Sequence, residues 1–60
     1  RKGDAAGALA PLREAVRLAP DNAQAHYQLA QALQRTGARA EARRHFAEAH
    51  RLAPYLPPPP

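Results

Sequence analysis

Sixty residues bound this chain to one small domain, and of its 27 apolar residues 16 are Ala, which leaves seven Leu, Val16, Phe46 and two Tyr to build a core. With no Cys, disulfides, thiolate metal sites and a Cys nucleophile are excluded, and no apolar run reaches the length of a membrane span or a signal-peptide core, so the chain reads as soluble. The net charge of +4 divides as +1 over residues 1–22, +1 over 23–36 and +2 over 37–60, a mild basicity spread along the chain. With no Met and Arg at position 1, the sequence reads as a processed product or a piece of something longer.

The first element is a helix within residues 3–20, where Ala8, Leu12, Ala15 and Leu18 recur at helical spacing. Pro20 ends it, because the residue before a proline is pushed away from the helical region. Pro11 conflicts with it: it removes the bond to the Gly7 carbonyl and crowds that group, so the turn from Asp4 to Ala8 is expected to be distorted, or the regular helix to begin near Ala8.

Ala23 to Arg35 (AQAHYQLAQALQR) forms the second helix, with Ala25, Leu29, Ala32 and Leu33 on an apolar stripe and Gln24, Gln28, Gln31 and Gln34/Arg35 on another. Asp21 or Asn22 can cap its start, and Gly37 suits the left-handed position past its end. The third helix, about residues 39–53, buries Ala42, Phe46, Ala49 and Leu52 and stops before Pro54. Ala38 stands at its start and cannot accept from the first free amides. Tyr55, Leu56 and four prolines follow, a tail expected to run as extended polyproline II.

Gly3–Pro20 aligns without gaps on Gly37–Pro54 at an offset of 34 residues, with nine of eighteen positions identical. Four of these are Ala and cheap in this composition, but Gly3/Gly37, Glu14/Glu48, Arg17/Arg51, Leu18/Leu52 and Pro20/Pro54 are not. The segment is therefore read as a duplication.

These residues resemble the tetratricopeptide repeat family, whose 34-residue repeat follows W-x2-L-G-x2-Y, then A-x3-F, then P. Leu29 and Ala30 fall at L-G, Leu33 at the Tyr, Ala42 and Phe46 at A-x3-F, and Pro54 at the closing Pro. His26 falls where the pattern has Trp, which weakens the packing expected of that helix. The resemblance implies an all-α fold, three antiparallel helices of an α-solenoid. Residues 3–20 would be the second helix of a partial repeat, 21–54 one full repeat and 55–60 a Pro-rich tail or linker. One and a half such units do not bury their own faces, so other copies or flanking repeats are expected as partners.

The resemblance also implies a protein or peptide partner on a concave surface lined by the first helix of each repeat, here Gln24, Tyr27, Gln28, Gln31, Gln34 and Arg35. Gln can donate to and accept from a peptide backbone, Tyr27 offers an amphipathic contact and Arg35 can hold a carboxylate. A solvated face of good helix formers is the plainer reading of the same residues. The Lys/Asn pattern by which family members clamp a C-terminal carboxylate is absent. A structural unit whose open ends stack into a superhelix or filament is the alternative function.

Other chemistries find little support. His26, His45 and His50 contain no i, i+4 pair and read as packing or surface residues, so no metal or other cofactor is expected. The chain has no Ser, and Glu41 and Glu48 stand beside Arg44, His45 and Arg51 at spacings that suggest surface ion pairs. Enzyme function is not expected. Arg39, Arg43, Arg44, His50 and Arg51 make the last helix basic, which could touch phosphates or an acidic partner; interleaved glutamates, the absence of a stacking platform and the charged convex face usual for such helices stand against this, and nucleic acid is not expected. Pro54, Tyr55, Leu56 and Pro57 form a P-x-x-P that a proline-reading module could dock, with a linker or end-capping segment as the plainer reading.

Overall fold

The computed structural model describes residues 4–57 and contains three helices, α1 (Asp4–Leu18), α2 (Ala23–Thr36) and α3 (Arg39–Leu52), joined by short turns. No strand occurs among the described residues. Gly3 and Pro58–Pro60, parts of the sequence repeat and of the expected polyproline tail, lie outside them.

α1 runs unbroken through Pro11, contrary to the expected distortion before Ala8. Both Gly7 and Pro11 are exposed, so the Gly7 carbonyl that loses its helical partner faces water and the proline ring lies on the solvent side. Open space surrounds the position where Gly7 would carry a Cβ.

The limits of α2 follow from side-chain and backbone chemistry at both ends. Asn22, in extended conformation (φ −87°, ψ 104°), accepts from the Ala25 amide at 3.2 Å. At the other end Gly37 turns left-handed at φ 91°, its amide donating to Gln34 O at 3.1 Å while Ala38 N–H donates to Leu33 O at 3.0 Å. This pair of bonds is the Schellman closure, and it needs a residue without a Cβ penalty at positive φ. α3 starts less well satisfied, since Ala38 supplies no side-chain cap.

α2 is the middle element. It packs against α1 on one side and α3 on the other, and α1 and α3 make no backbone-level approach to each other. The helices therefore form an open row rather than a closed three-helix bundle, and the molecule measures 31 × 25 × 16 Å. Tyr27, Leu29, Ala30, Leu33, Ala42, Phe46 and Ala49 make the core, with Leu9, Leu12, Val16, Ala38 and Leu56 packed partly buried against it. Ala30 and Ala49 are fully enclosed, which lets the helix axes approach to about 8–10 Å. One charged link spans the row: Arg13 of α1 grips Glu41 of α3 with both guanidinium nitrogens. That contact raises the Arg13 pKa and lowers that of Glu41, chiefly through the hydrogen bond.

Candidate interaction surface

Packing on two sides leaves α2 only a narrow strip open to solvent. Gln24, Gln28, Gln31 and Arg35 are exposed at intervals of four, three and four residues, and Gln34 is half-buried beside them. That spacing keeps them on one face, and the strip runs about 16 Å at 1.5 Å per residue. Among the described residues none of these side chains makes an intramolecular hydrogen bond, so their donors and acceptors remain free for a ligand.

Tyr27 does not belong to this strip. Its ring is 8% exposed and lies edge-on to Phe46 at 5.3 Å and to His50 at 6.2 Å, a core role. No buried side-chain nitrogen or oxygen lacks a partner among the described residues. The family resemblance, which assigns the concave surface to the first helix of the repeat, grouped Tyr27 with the glutamines. α3, packed against that side of α2, is what covers it.

His26, also 6% exposed, fills the expected tryptophan position with polar contacts instead of a large ring. Its Nε2 lies 2.7 Å from Pro20 O and its Nδ1 3.1 Å from His45 Nδ1, with the rings stacked at 5.4 Å. A carbonyl only accepts, so His26 Nε2 carries a proton; with His26 neutral its Nδ1 accepts, and His45 Nδ1–H donates. His45 Nε2 then faces Glu41 at 3.9 Å. Burial, followed by the neighbouring His26, holds the His45 pKa below its ordinary value, and Glu41 opposes the shift. These histidines, expected as packing or surface residues, pack against each other across α2 and α3. The antiparallel packing of α2 and α3 is what brings them together. No group of three or more His, Cys, Asp or Glu able to hold a metal occurs among the described residues.

The P-x-x-P segment is not extended. Leu56 N–H donates to Ala53 O at 3.1 Å, closing a turn over Pro54 and Tyr55. Carbonyls only accept, so His50 Nε2 donates to Leu56 O (3.1 Å) and Pro57 O (3.0 Å). Leu56 packs against the core while Tyr55 is 85% exposed. A groove that reads polyproline II needs Pro54 to Pro57 extended, and the turn withholds that shape.

An open row of antiparallel helices, with small residues at the crossings and a 34-residue internal period, defines a helix-turn-helix repeat protein of solenoid type. Sequence profiles agree: a TPR repeat profile matches residues 1–37 and a tetratricopeptide repeat profile matches residues 23–56. The chain belongs to the tetratricopeptide repeat family, whose repeats are generally protein–protein interaction modules and typically non-catalytic scaffolds. No curated protein and no solved structure matches it. No helix among the described residues is long and apolar enough to cross a membrane.

Proposed function

We propose that the chain is an interaction scaffold, one full repeat over residues 21–54 preceded by the second helix of another over 3–20, that presents the open strip of α2 to an extended segment of a protein partner. The observation that supports this is the alignment of Gln24, Gln28, Gln31 and Arg35 on one exposed face with uncommitted amides and a free guanidinium. At about 3.3 Å per residue, a strand of roughly five residues spans the strip. Glutamines meet its backbone groups and Arg35 a carboxylate. Gln34 contributes from the edge.

Peptides selected from a random library on the immobilised chain provide the test. The double substitution Gln28→Ala, Gln31→Ala is expected to weaken the selected peptides by about tenfold or more, near 1.4 kcal/mol, with the circular dichroism spectrum unchanged. Arg17→Ala serves as the control on α1. Equal affinity of the double variant and the parent chain would remove α2 as the binding surface.

A second reading rests on α1. Leu18 is 69% exposed, and Leu9, Leu12 and Val16 are only partly covered. Stacking of another copy or of flanking repeats would cover them, and a head-to-tail contact that does not close propagates into a filament. Sedimentation velocity over a wide concentration range separates the readings: a constant monomer mass excludes self-stacking of this chain.

A further inference from the structure

Folding redistributes charge that the sequence spreads evenly. Of the chain's five acids, three are matched by ion pairs among the described side chains, Glu14 with Arg17, Glu41 with Arg13 and Glu48 with Arg51. Of the other two, Asp21 lies before α2, at the opposite end of that helix from Arg35, and Asp4 is at the start of α1. Arg35, Arg39, Arg43 and Arg44 are all exposed, and none forms an ion pair among the described residues. Four cations without an ion pair among the described residues thus sit within ten residues, around the turn from α2 to α3, with Arg44 near enough to Glu41 to help lower its pKa.

This arrangement works against local stability. Arg39 and Arg43 are one turn apart on α3, about 6 Å along its axis, a like-charge pair that repels. Arg39 also stands in the first helical turn, where the helix dipole disfavours a cation. Glu41, the acidic residue of that turn, is directed to Arg13 instead. Local choices that oppose the fold without a compensating contact are expected where a surface meets a partner.

We infer that the face of α3 bearing Arg39, Arg43 and Arg44 docks an acidic segment of a partner protein. Its carboxylates would be spaced one helical turn apart, or two residues apart in a strand, where the repeat of about 6.6 Å matches the arginine spacing. Guanidinium groups take carboxylates in paired hydrogen bonds. Nucleic acid fits less well: Tyr27 and Phe46 are buried, and the exposed Tyr55 follows the far end of α3, about 20 Å from Arg39, so the patch has no ring on which a base can stack. This surface is distinct from the glutamine strip of α2. Arg35 borders both and is left intact in the test.

The probes are a fluorescent Glu-Ser repeat peptide, the same peptide with every Glu replaced by Gln, and a single-stranded oligothymidylate of equal charge, titrated by anisotropy at low and physiological salt. The Glu peptide is expected to bind with strong salt dependence and the Gln peptide not to bind. Arg39→Gln with Arg43→Gln is expected to weaken the Glu peptide at least about threefold while the melting temperature stays level or rises, because the repulsion is gone. Arg39→Lys with Arg43→Lys retains the charge and most of the binding, and Arg17→Gln leaves it unchanged. Undiminished binding by the Gln double variant overturns the inference. So does a fall in melting temperature with binding lost in the Lys pair, which assigns these arginines to the fold. Tighter binding of the oligonucleotide than of the Glu peptide reassigns the patch to phosphates. The glutamine strip is untouched by every variant, so either outcome is independent of the α2 reading.

Discussion

Ala19–Pro20–Asp21–Asn22 and Ala53–Pro54–Tyr55–Leu56 stand 34 residues apart and close alike, with the fourth amide donating to the first carbonyl at 3.0 and 3.1 Å. Beyond that bond they diverge. Asn22 caps the Ala25 amide and starts α2, whereas Leu56 has no acceptor to offer and Pro57 to Pro60 have no amide N–H to donate. Leu56 turns inward onto the core and His50 fastens its carbonyl. A repeat turn therefore stops a helix by itself, and the residues after it decide whether another begins.

The helices that precede these turns show the same dependence on neighbours. Phe46 of α3 is 5% exposed, whereas Leu12, its counterpart in α1, is only partly buried. α3 lies along α2 and under the folded tail, while α1 packs its backbone against α2 alone and reaches α3 only through the Arg13–Glu41 ion pair. The largest expected effect breaks this comparison directly. Phe46→Ala removes the ring that Tyr27 meets edge-on and is expected to cost about 3–5 kcal/mol, enough to unfold so small a domain, whereas Leu12→Ala costs under about 2 kcal/mol because less of the side chain leaves a packed site. Urea titration followed by circular dichroism measures both. Equal losses would mean that α1 is as well covered as α3.

Transplanting one turn's ending into the other gives a smaller effect. Asn22→Leu copies Leu56 and leaves the Ala25 amide without its acceptor, an expected loss of about 0.5–2 kcal/mol together with faster hydrogen exchange at the first turn of α2. If stability and exchange are unchanged, tertiary packing rather than the cap sets the start of α2.

The pH dependence sharpens the contrast between the hairpin α2–α3 and α1, which contributes no histidine. His45 has a folded pKa below its ordinary value of 6.5. As pH falls below about 6.5, the unfolded chain takes up a proton at His45 that the folded chain does not, so stability is complete above that value and declines as pH falls toward the depressed folded value. A lower melting temperature at pH 5 than at pH 7.5 is the expected result, flattened in His45→Gln, which keeps a donor toward His26 without titrating. The lowered carboxylates of Glu14, Glu41 and Glu48 act in a separate window, below their ordinary 4.5, where protonation removes their ion pairs. A flat profile between pH 7.5 and 5 would mean that the His45 site is not desolvated in solution.

What the sequence made legible was set by short-range chemistry. Gly37, Asn22, Pro20 and Pro54 mark turns through backbone constraints that act within four residues, and the 34-residue offset identifies the repeat without any knowledge of packing. Tyr27 was grouped with the glutamines because the resemblance assigns the concave surface to the whole first helix of the repeat, whereas a helix with two neighbours has two covered faces. Gln24 and Tyr27 differ in exposure only because α3 covers one of them. Pro11 looked like a break because its cost was weighed without knowing that Gly7 and Pro11 face water. The basic character of α3 was legible in Arg39, Arg43 and Arg44, but Glu41 reads as a partner of its α3 neighbours until α1 brings Arg13 to it.

The smallest expected effect concerns α3, the one helix of the hairpin whose start has no side-chain cap. Ala38→Asp would place an acceptor near the amides of Ala40 and Glu41 and a negative charge at the positive end of the helix, close to Arg39. Two things limit the gain. Ala38 packs partly buried against the core, so a carboxylate there loses some hydration, and its backbone angles, φ −81° and ψ 67°, lie short of the extended conformation that Asn22 adopts at the start of α2. The Ala38 amide continues to close the Leu33 carbonyl whatever its side chain. The net stabilisation is therefore expected at the low end of the capping range, about 0.5 kcal/mol, measured as a small rise in urea midpoint that disappears when pH drops below the aspartate pKa. A gain as large as the loss from Asn22→Leu would show that backbone geometry at Ala38 relaxes freely, and a net loss would show that desolvation outweighs the cap.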